Sequence, residues 1–224
     1  MTRHLRRSEF AVNRKKVRRL MQKMGITAIY RKPNTSIANS EHKVYPYLLN
    51  NIEITRPNQV WCSDITYIPM KKGFLYLVAI MDWHSRYILS WRISNTLDVS
   101  FCKEALLEAL SKYSTPETFN TDQGSQFTSR EFTEILSNNG IKISMDGKGR
   151  AVDNVFIERF WKSLKYEEVY LKSYETNKDA ICNIGNYIWD YNNERPHSSL
   201  ADSTPSEVYL RRCPKPNNFV LSLN

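Results

Sequence analysis

Apolar positions recur with a helical period near the N-terminus, take on strand texture from Gln59, and return to a helical period towards the C-terminus. In Arg14 to Met24, RKKVRRLMQKM, the residues Val17, Leu20, Met21 and Met24 fall at i, i+3, i+4 and i+7 with basic residues between them. Asn13 suits the N-cap and Gly25 the position past the end, so the spacing predicts a short amphipathic basic helix. Leu5 to Val12 reads as the end of an earlier helix, which makes residues 1–26 the last portion of a helix-turn-helix. Residues 27–58, with Pro33, Asn34, Ser36, Asn39 and Pro57, have turn composition and little periodicity and read as a linker.

Three β-rich runs follow: VWCSDITYI (60–68), FLYLVAIMD (74–82) and RYILSWRI (86–93), an expected antiparallel meander. Asp98 is expected to cap a helix to about Tyr113, and Thr118–Thr121 to form a short strand. Thr128-x-x-Glu131 resembles a capping box for a helix through Ser137 closed by Gly140, and 141–145 is a further strand. Helices are then expected over 153–172, over Thr176 to Asn193 and from Thr204-Pro205. This order predicts an α/β domain of ribonuclease-H-like type, with a mixed five-stranded sheet flanked by helices. The core is expected at 59–172, with a helical extension at 173–224.

At 41% hydrophobic and 12% aromatic residues the chain can bury a core, which excludes wholesale disorder. The longest apolar runs, such as Leu75 to Met81, are too short to span a bilayer, and MTRHLRRSEF has no apolar region behind its basic residues. Cys62, Cys102, Cys182 and Cys213 form no CxxC pair, so neither a zinc site nor a disulfide framework is indicated, and an intracellular protein is expected. Charge is unevenly placed. Residues 1–59 carry 13 Lys+Arg against 3 Asp+Glu, while the remainder carry 19 against 20. A basic arm on a near-neutral body suits nucleic acid, because neutralising phosphates releases counterions.

Three carboxylates carry the candidate chemistry. Asp64 interrupts an apolar, aromatic strand, where a charge is costly unless it is paired or binds metal. Asp122 follows a short strand in NTDQGSQF, where Gly124 and Ser125 let the chain turn away. Glu158 lies at the edge of the stripe Ile157, Phe160, Trp161 and Leu164, with Lys162 and Lys165 at i+4 and i+7. Each alone has a plainer reading: a satisfied structural Asp, a turn Asp, and a surface Glu–Lys pair. Together they offer three hard oxygen ligands suited to two Mg²⁺ ions, with Mn²⁺ as a substitute, and to phosphodiester cleavage and transfer. Lys148, Arg150, Arg159, Lys162 and Lys165 would offset DNA phosphates beside them, and Arg14, Lys15, Lys16, Arg18 and Arg19 would grip DNA from the basic helix.

The stretches WCSDITYI, TDQGSQFTS, GRAVDNVFIERFWKSLKYE and YNNERPHSSLADSTPSEVY resemble those of bacterial insertion-sequence transposases of the "insertion sequence three" group. That group's core is similar to retroviral integrases, and the resemblance spans roughly Asn13 to Tyr209. The gap of 35 residues between Asp122 and Glu158, with Lys165 seven residues on, is the most specific signal. The resemblance implies that Asp64, Asp122 and Glu158 bind metal and that Lys165 contacts DNA. It also implies terminal inverted repeats, target DNA and further transposase protomers as partners, near the nucleoid in the cytoplasm. No membrane and no small-molecule substrate is expected.

Gln123 and Asp202 depart from the group's usual His and Gly, and only part of the usual helix-turn-helix is expected ahead of the core. The histidines His4, His42, His84 and His197 match no HHCC zinc module. Asp146 and Asp153 are assigned to a turn and a helix cap rather than to metal. Arg195 and His197 are left open between DNA contact and packing, and Trp61, Tyr67, Trp83, Trp91 and Trp161 are assigned to the core. A silent DNA-binding repressor and a nuclease without strand transfer are the alternative functions.

Overall fold

The computed structural model describes residues 1–26, 43–147 and 154–212. It divides into two units, Met1–Ala38 and Asn39–Asn224. In the first, α1 (Thr2–Arg7) precedes α2 (Arg14–Lys23). Asn13 caps α2 by accepting the Lys16 N–H at 2.8 Å, and Gly25 takes φ +66° just past the helix. That left-handed conformation carries no Cβ penalty in glycine. Val17 is buried, while Arg14, Lys15, Lys16, Arg18 and Arg19 are all exposed. The earlier helix ends sooner than expected, at Arg7, and residues 8–13 are its connection to α2. Within that turn Arg6 Nε donates to the Val12 carbonyl at 2.9 Å.

The second unit is built on one mixed sheet. Its strands are β1 (Val60–Pro69), β2 (Phe74–Asp82), β3 (Ile88–Ser94), β4 (Thr118–Thr121) and β5 (Lys142–Met145). Their order across the sheet is β3-β2-β1-β4-β5, antiparallel from β3 to β1 and parallel from β1 through β4 to β5. Both faces are covered, which is why the strands read as nearly continuous apolar runs. Leu77, Ala79 and Met81 face a cluster with α5 (Val155–Leu164) and α6 (Asn177–Asn193). The alternating Val78 and Ile80 face α3 (Ser100–Lys112) and α4 (Arg130–Asn138). Tyr209 of the last helix, α7 (Pro205–Arg212), joins this second cluster.

Several boundaries moved for local reasons. β3 begins at Ile88 rather than 86, because Arg86 adopts φ +64° in a turn closed by its N–H on the Asp82 carbonyl at 2.9 Å. α3 starts at Ser100 after the N-cap Val99; Asp98 still accepts the Ser100 N–H, at 2.9 Å. The cap of α4 is Ser129, not Thr128, whose hydroxyl donates instead to the Gly124 carbonyl at 3.0 Å. The long helix from 153 is broken: α5 stops at Leu164 and a π-helical turn spans Lys165–Val169. The wider turn shifts the register so that Glu168 and Val169 become buried, with Glu168 accepting from Tyr174 OH at 3.0 Å. Thr204 and Glu207 form a reciprocal capping box at the start of α7.

Residues 27–42 of the expected linker lie outside the described residues. Residues 43–58 hold no helix or strand, yet they are docked on the second unit. Leu48 N–H donates to Ser144 Oγ at 3.0 Å, and Leu49 is buried. Cys62, Cys102 and Cys182 are free thiols, and no helix among the described residues is long and apolar enough to cross a membrane.

Candidate active site

Strand register brings the first two carboxylates level. β1 runs parallel to β4 with Val60 opposite Thr118 and Cys62 opposite Asn120. Two residues further on, Asp64 on β1 stands at the height of Asp122, the residue that leaves β4. β5 adds a third member, since Thr121 lies opposite Met145 and Asp146 follows. These positions mark the end at which parallel strands hand over to loops, where ligands of open α/β sheets bind.

Asp146 is a satisfied group. Its carboxylate accepts from Asn120 Nδ2 at 2.7 Å, its N–H donates to the Thr121 carbonyl, and its carbonyl accepts from Gln123 Nε2 at 2.9 Å. It holds the loop, as assigned from sequence. Asp64 differs. Its Oδ2 accepts the indole N–H of Trp161 at 2.8 Å, linking β1 to α5. Burial pushes the Asp64 pKa up to about 6; the Trp161 bond opposes that rise, and the charges of Asp122 and Glu158 add to it. Asp122 reaches solvent, but the protein packed around it also raises its pKa, against one stabilising bond from the Gly124 N–H at 2.9 Å. A Cβ on Gly124 would stand 2.9 Å from Asp122 Oδ1, so only glycine lets the loop cradle this carboxylate so closely.

Glu158 is exposed on α5 at the edge of the stripe of Ile157, Phe160, Trp161 and Leu164, which are buried. The capping residue of this helix, Asn154, reaches the Ser63 carbonyl beside Asp64 at 3.4 Å. Arg159 and Lys162 are exposed, and Lys165 is half-buried at the start of the π-helical turn. No ion pair among the described residues involves Asp64, Asp122 or Glu158, so the plain Glu158–Lys162 surface pair is not formed. Lys148, Arg150 and Asp153 lie outside the described residues.

The donors suit a hard divalent cation: a half-buried Asp64 with the charges of two further carboxylates, Asp122 and Glu158, in its field and no cationic partner among the described residues. Also among these residues, no three His, Cys, Asp or Glu side chains stand at metal-holding spacing. The fit therefore rests on donor chemistry. Sequence reading placed Trp161 only in the core. Its position three residues after Glu158 was legible, but the reach of its N–H to Asp64 depends on how α5 packs on β1.

An "Integrase core domain" family matches residues 54–151, a second family of the same description matches 139–205, and an "HTH-like domain" matches 1–34. The transposase for insertion sequence element IS904 of Lactococcus lactis subsp. lactis is 36% identical over 216 residues, covering 92% of this chain and 84% of that protein. Transposase InsF for insertion sequence IS3A of Escherichia coli K12 is 29% identical over 214 residues, covering 92% and 74%. The magnesium-bound HTLV-2 integrase catalytic core in its trimeric form superposes with a TM-score of 0.54 at 21% identity, covering 69% of this chain and 97% of that one.

Fold and relatives together define a polynucleotidyl transferase of the integrase-core class. More narrowly, the chain belongs to the insertion-sequence transposases of the "insertion sequence three" group, enzymes of DNA transposition.

Proposed function

We propose that Asp64, Asp122 and Glu158 form the catalytic centre at which this transposase cleaves DNA at an element's end and joins the freed 3′-hydroxyl to a second phosphodiester. The observation that carries the assignment is Asp64, half-buried on β1 at the height of Asp122, with the charges of Asp122 and Glu158 in its field and no cation partner among the described residues. In this reading the three side chains would hold two Mg²⁺ ions, replaceable by Mn²⁺, and metal bound there would supply Lewis-acid activation of the attacking oxygen and charge stabilisation of the leaving one. Magnesium on the integrase core of similar fold supports a divalent requirement.

The protein's own side chains orient the site. Trp161 fixes one oxygen of Asp64, and Gly124 fixes Asp122. Lys165, Lys162 and Arg159 project from the same helical stretch as Glu158 and hold phosphates of the strand, joined by Lys148 and Arg150, which precede them in the sequence. The basic face of α2, with Arg14, Lys15, Lys16, Arg18 and Arg19, grips the terminal inverted repeats through the DNA backbone. Target DNA and further protomers complete the assembly, which works at the nucleoid in the cytoplasm.

The test is incubation of the chain with a labelled duplex carrying the element's end and Mg²⁺ or Mn²⁺. Products joined to a new strand are expected. Metal-dependent cutting without joining would reduce the chain to a nuclease, and salt-sensitive binding without cutting in either metal would overturn the enzymatic reading.

A further inference from the structure

A cavity of about 220 Å³ opens along α5, the helix that bears Glu158. Phe156, Arg159, Phe160 and Ser163 line it at i, i+3, i+4 and i+7, and His197 and Arg86 line it from other elements. Its charge is unusual. The Arg86 guanidinium lies 3.3 Å from the centroid of the Phe156 ring, which itself packs edge-on against Trp83. Protein packed around Arg86 desolvates the cation, and Arg159 repels it. Among the described residues no carboxylate comes within ion-pair distance of either Arg86 or Arg159.

Arg195, which also borders the cavity, is committed elsewhere: Glu167 holds it through two oxygens, one at 2.8 Å, with Tyr187 OH alongside. The two guanidiniums of the cavity without a carboxylate ion pair among the described residues are therefore Arg86, which lies over Phe156 with Asp82 acting on it only through its charge, and Arg159. Beside them His197 Nε2 is buried without a hydrogen-bond partner, its ring edge-on to Tyr191 at 4.9 Å. A desolvated cation and an unsatisfied ring nitrogen are each costly alone. An anion between them would satisfy both, and guanidinium forks match the tetrahedral oxygens of phosphate.

We propose that this cavity binds one backbone phosphate of the DNA strand engaged at the carboxylates, fixing that strand where it crosses α5. The proposal rests on the reading of Asp64, Asp122 and Glu158 as the catalytic centre, since Arg159, which lines the cavity, directly follows Glu158 on the same helix. The volume admits a phosphate group with a few waters, each taking roughly 30 Å³, and leaves no room for a stacked base pair.

The test is DNA binding by the full chain in EDTA, with end duplexes carrying a single neutral methylphosphonate at each backbone position in turn. One position should weaken wild-type binding about tenfold. Arg86→Gln and Arg159→Gln should each weaken unmodified DNA by a similar factor, lower the salt slope by about 0.9, and lose sensitivity to that one methylphosphonate. Variants that keep the wild-type pattern would overturn the proposal. Arg159 is exposed, so its variant keeps the test decisive if Arg86→Gln fails to fold, which thermal melting reports. Inorganic phosphate that protects the wild type equally well with saturating DNA present would mark a free-anion site and also overturn it. Metal-dependent cleavage of unmodified duplex is measured separately, so failure of the pocket and failure of the catalytic reading are distinguishable.

Discussion

Two aspartates in the same sheet, Asp64 on β1 and Asp82 at the end of β2, meet opposite treatment from their surroundings. Asp82 is fully buried, and its oxygens accept from Asn58 N–H at 2.7 Å, Ser85 N–H at 2.8 Å and Ser85 Oγ at 2.6 Å. Asp64 has one side-chain donor, Trp161, and looks towards two further carboxylates. Burial raises the pKa of both. The difference is that Asp82 is satisfied by Ser85 of its own turn and by Asn58, whereas Asp64 is held where the charges of Asp122 and Glu158 act against its own. A carboxylate of the first kind organises structure; one of the second kind is kept for an external charge.

The largest expected effect separates them by chemistry. Asp64→Asn should lower strand cleavage by about 10³-fold or more while DNA binding stays near wild type, because only a metal ligand is lost. Asp82→Asn should leave measurable chemistry but place an amide among three donors, costing about 2–4 kcal/mol. Thermal melting checks this. A variant that melted like the wild type would dissolve the contrast.

A smaller effect runs the opposite way. The Asp64 pKa is raised from 3.8 to about 6 on folding, so the folded chain binds the proton more tightly. Its contribution is fully present below pH 3.8 and is lost as pH rises through 6. In metal-free buffer at pH 7.5, Asp64→Asn should therefore stabilise the chain by about 1 kcal/mol after allowance for solvent screening, a gain that vanishes near pH 4. Mg²⁺ should close the gap by stabilising the wild type alone. The smallest effect concerns Glu108 at the β3–α3 contact. Burial would raise its pKa, but hydrogen bonds from Lys112, Ser90 and Arg92 outweigh it and bring the value to about 2. Its stabilisation is present above pH 4.5 and lost as pH falls through 2, so Glu108→Gln should cost about 0.5–1 kcal/mol at pH 7 in chemical denaturation and nothing in strong acid.

Much of this was legible in the sequence. The strand runs, the short strand before Asp122 and the 35-residue gap to Glu158 predicted the order of elements, because a sheet covered on both faces leaves long apolar runs with punctuating turns. The caps Asn13 and Thr204 also declared themselves, since their side chains bond only a few residues away. What stayed hidden depends on contacts distant in sequence. The π-helical turn at Lys165–Val169 answers to the burial of Glu168 against Tyr174, and residues 43–58 read as linker because their partners sit on β5. Likewise, nothing local to HSRYI announces that Arg86 lies over Phe156.

The central proposal is that Asp64, with Asp122 and Glu158 acting on its charge at the strand end, holds a divalent ion together with them. Manganese binding followed by paramagnetic resonance on the wild type and on Asp64→Asn, Asp122→Asn, Glu158→Gln and Asp82→Asn tests it without relying on turnover. The account predicts binding that weakens strongly in each of the first three variants and is retained in folded Asp82→Asn. Equal manganese affinity in the wild type and in Asp64→Asn would contradict it.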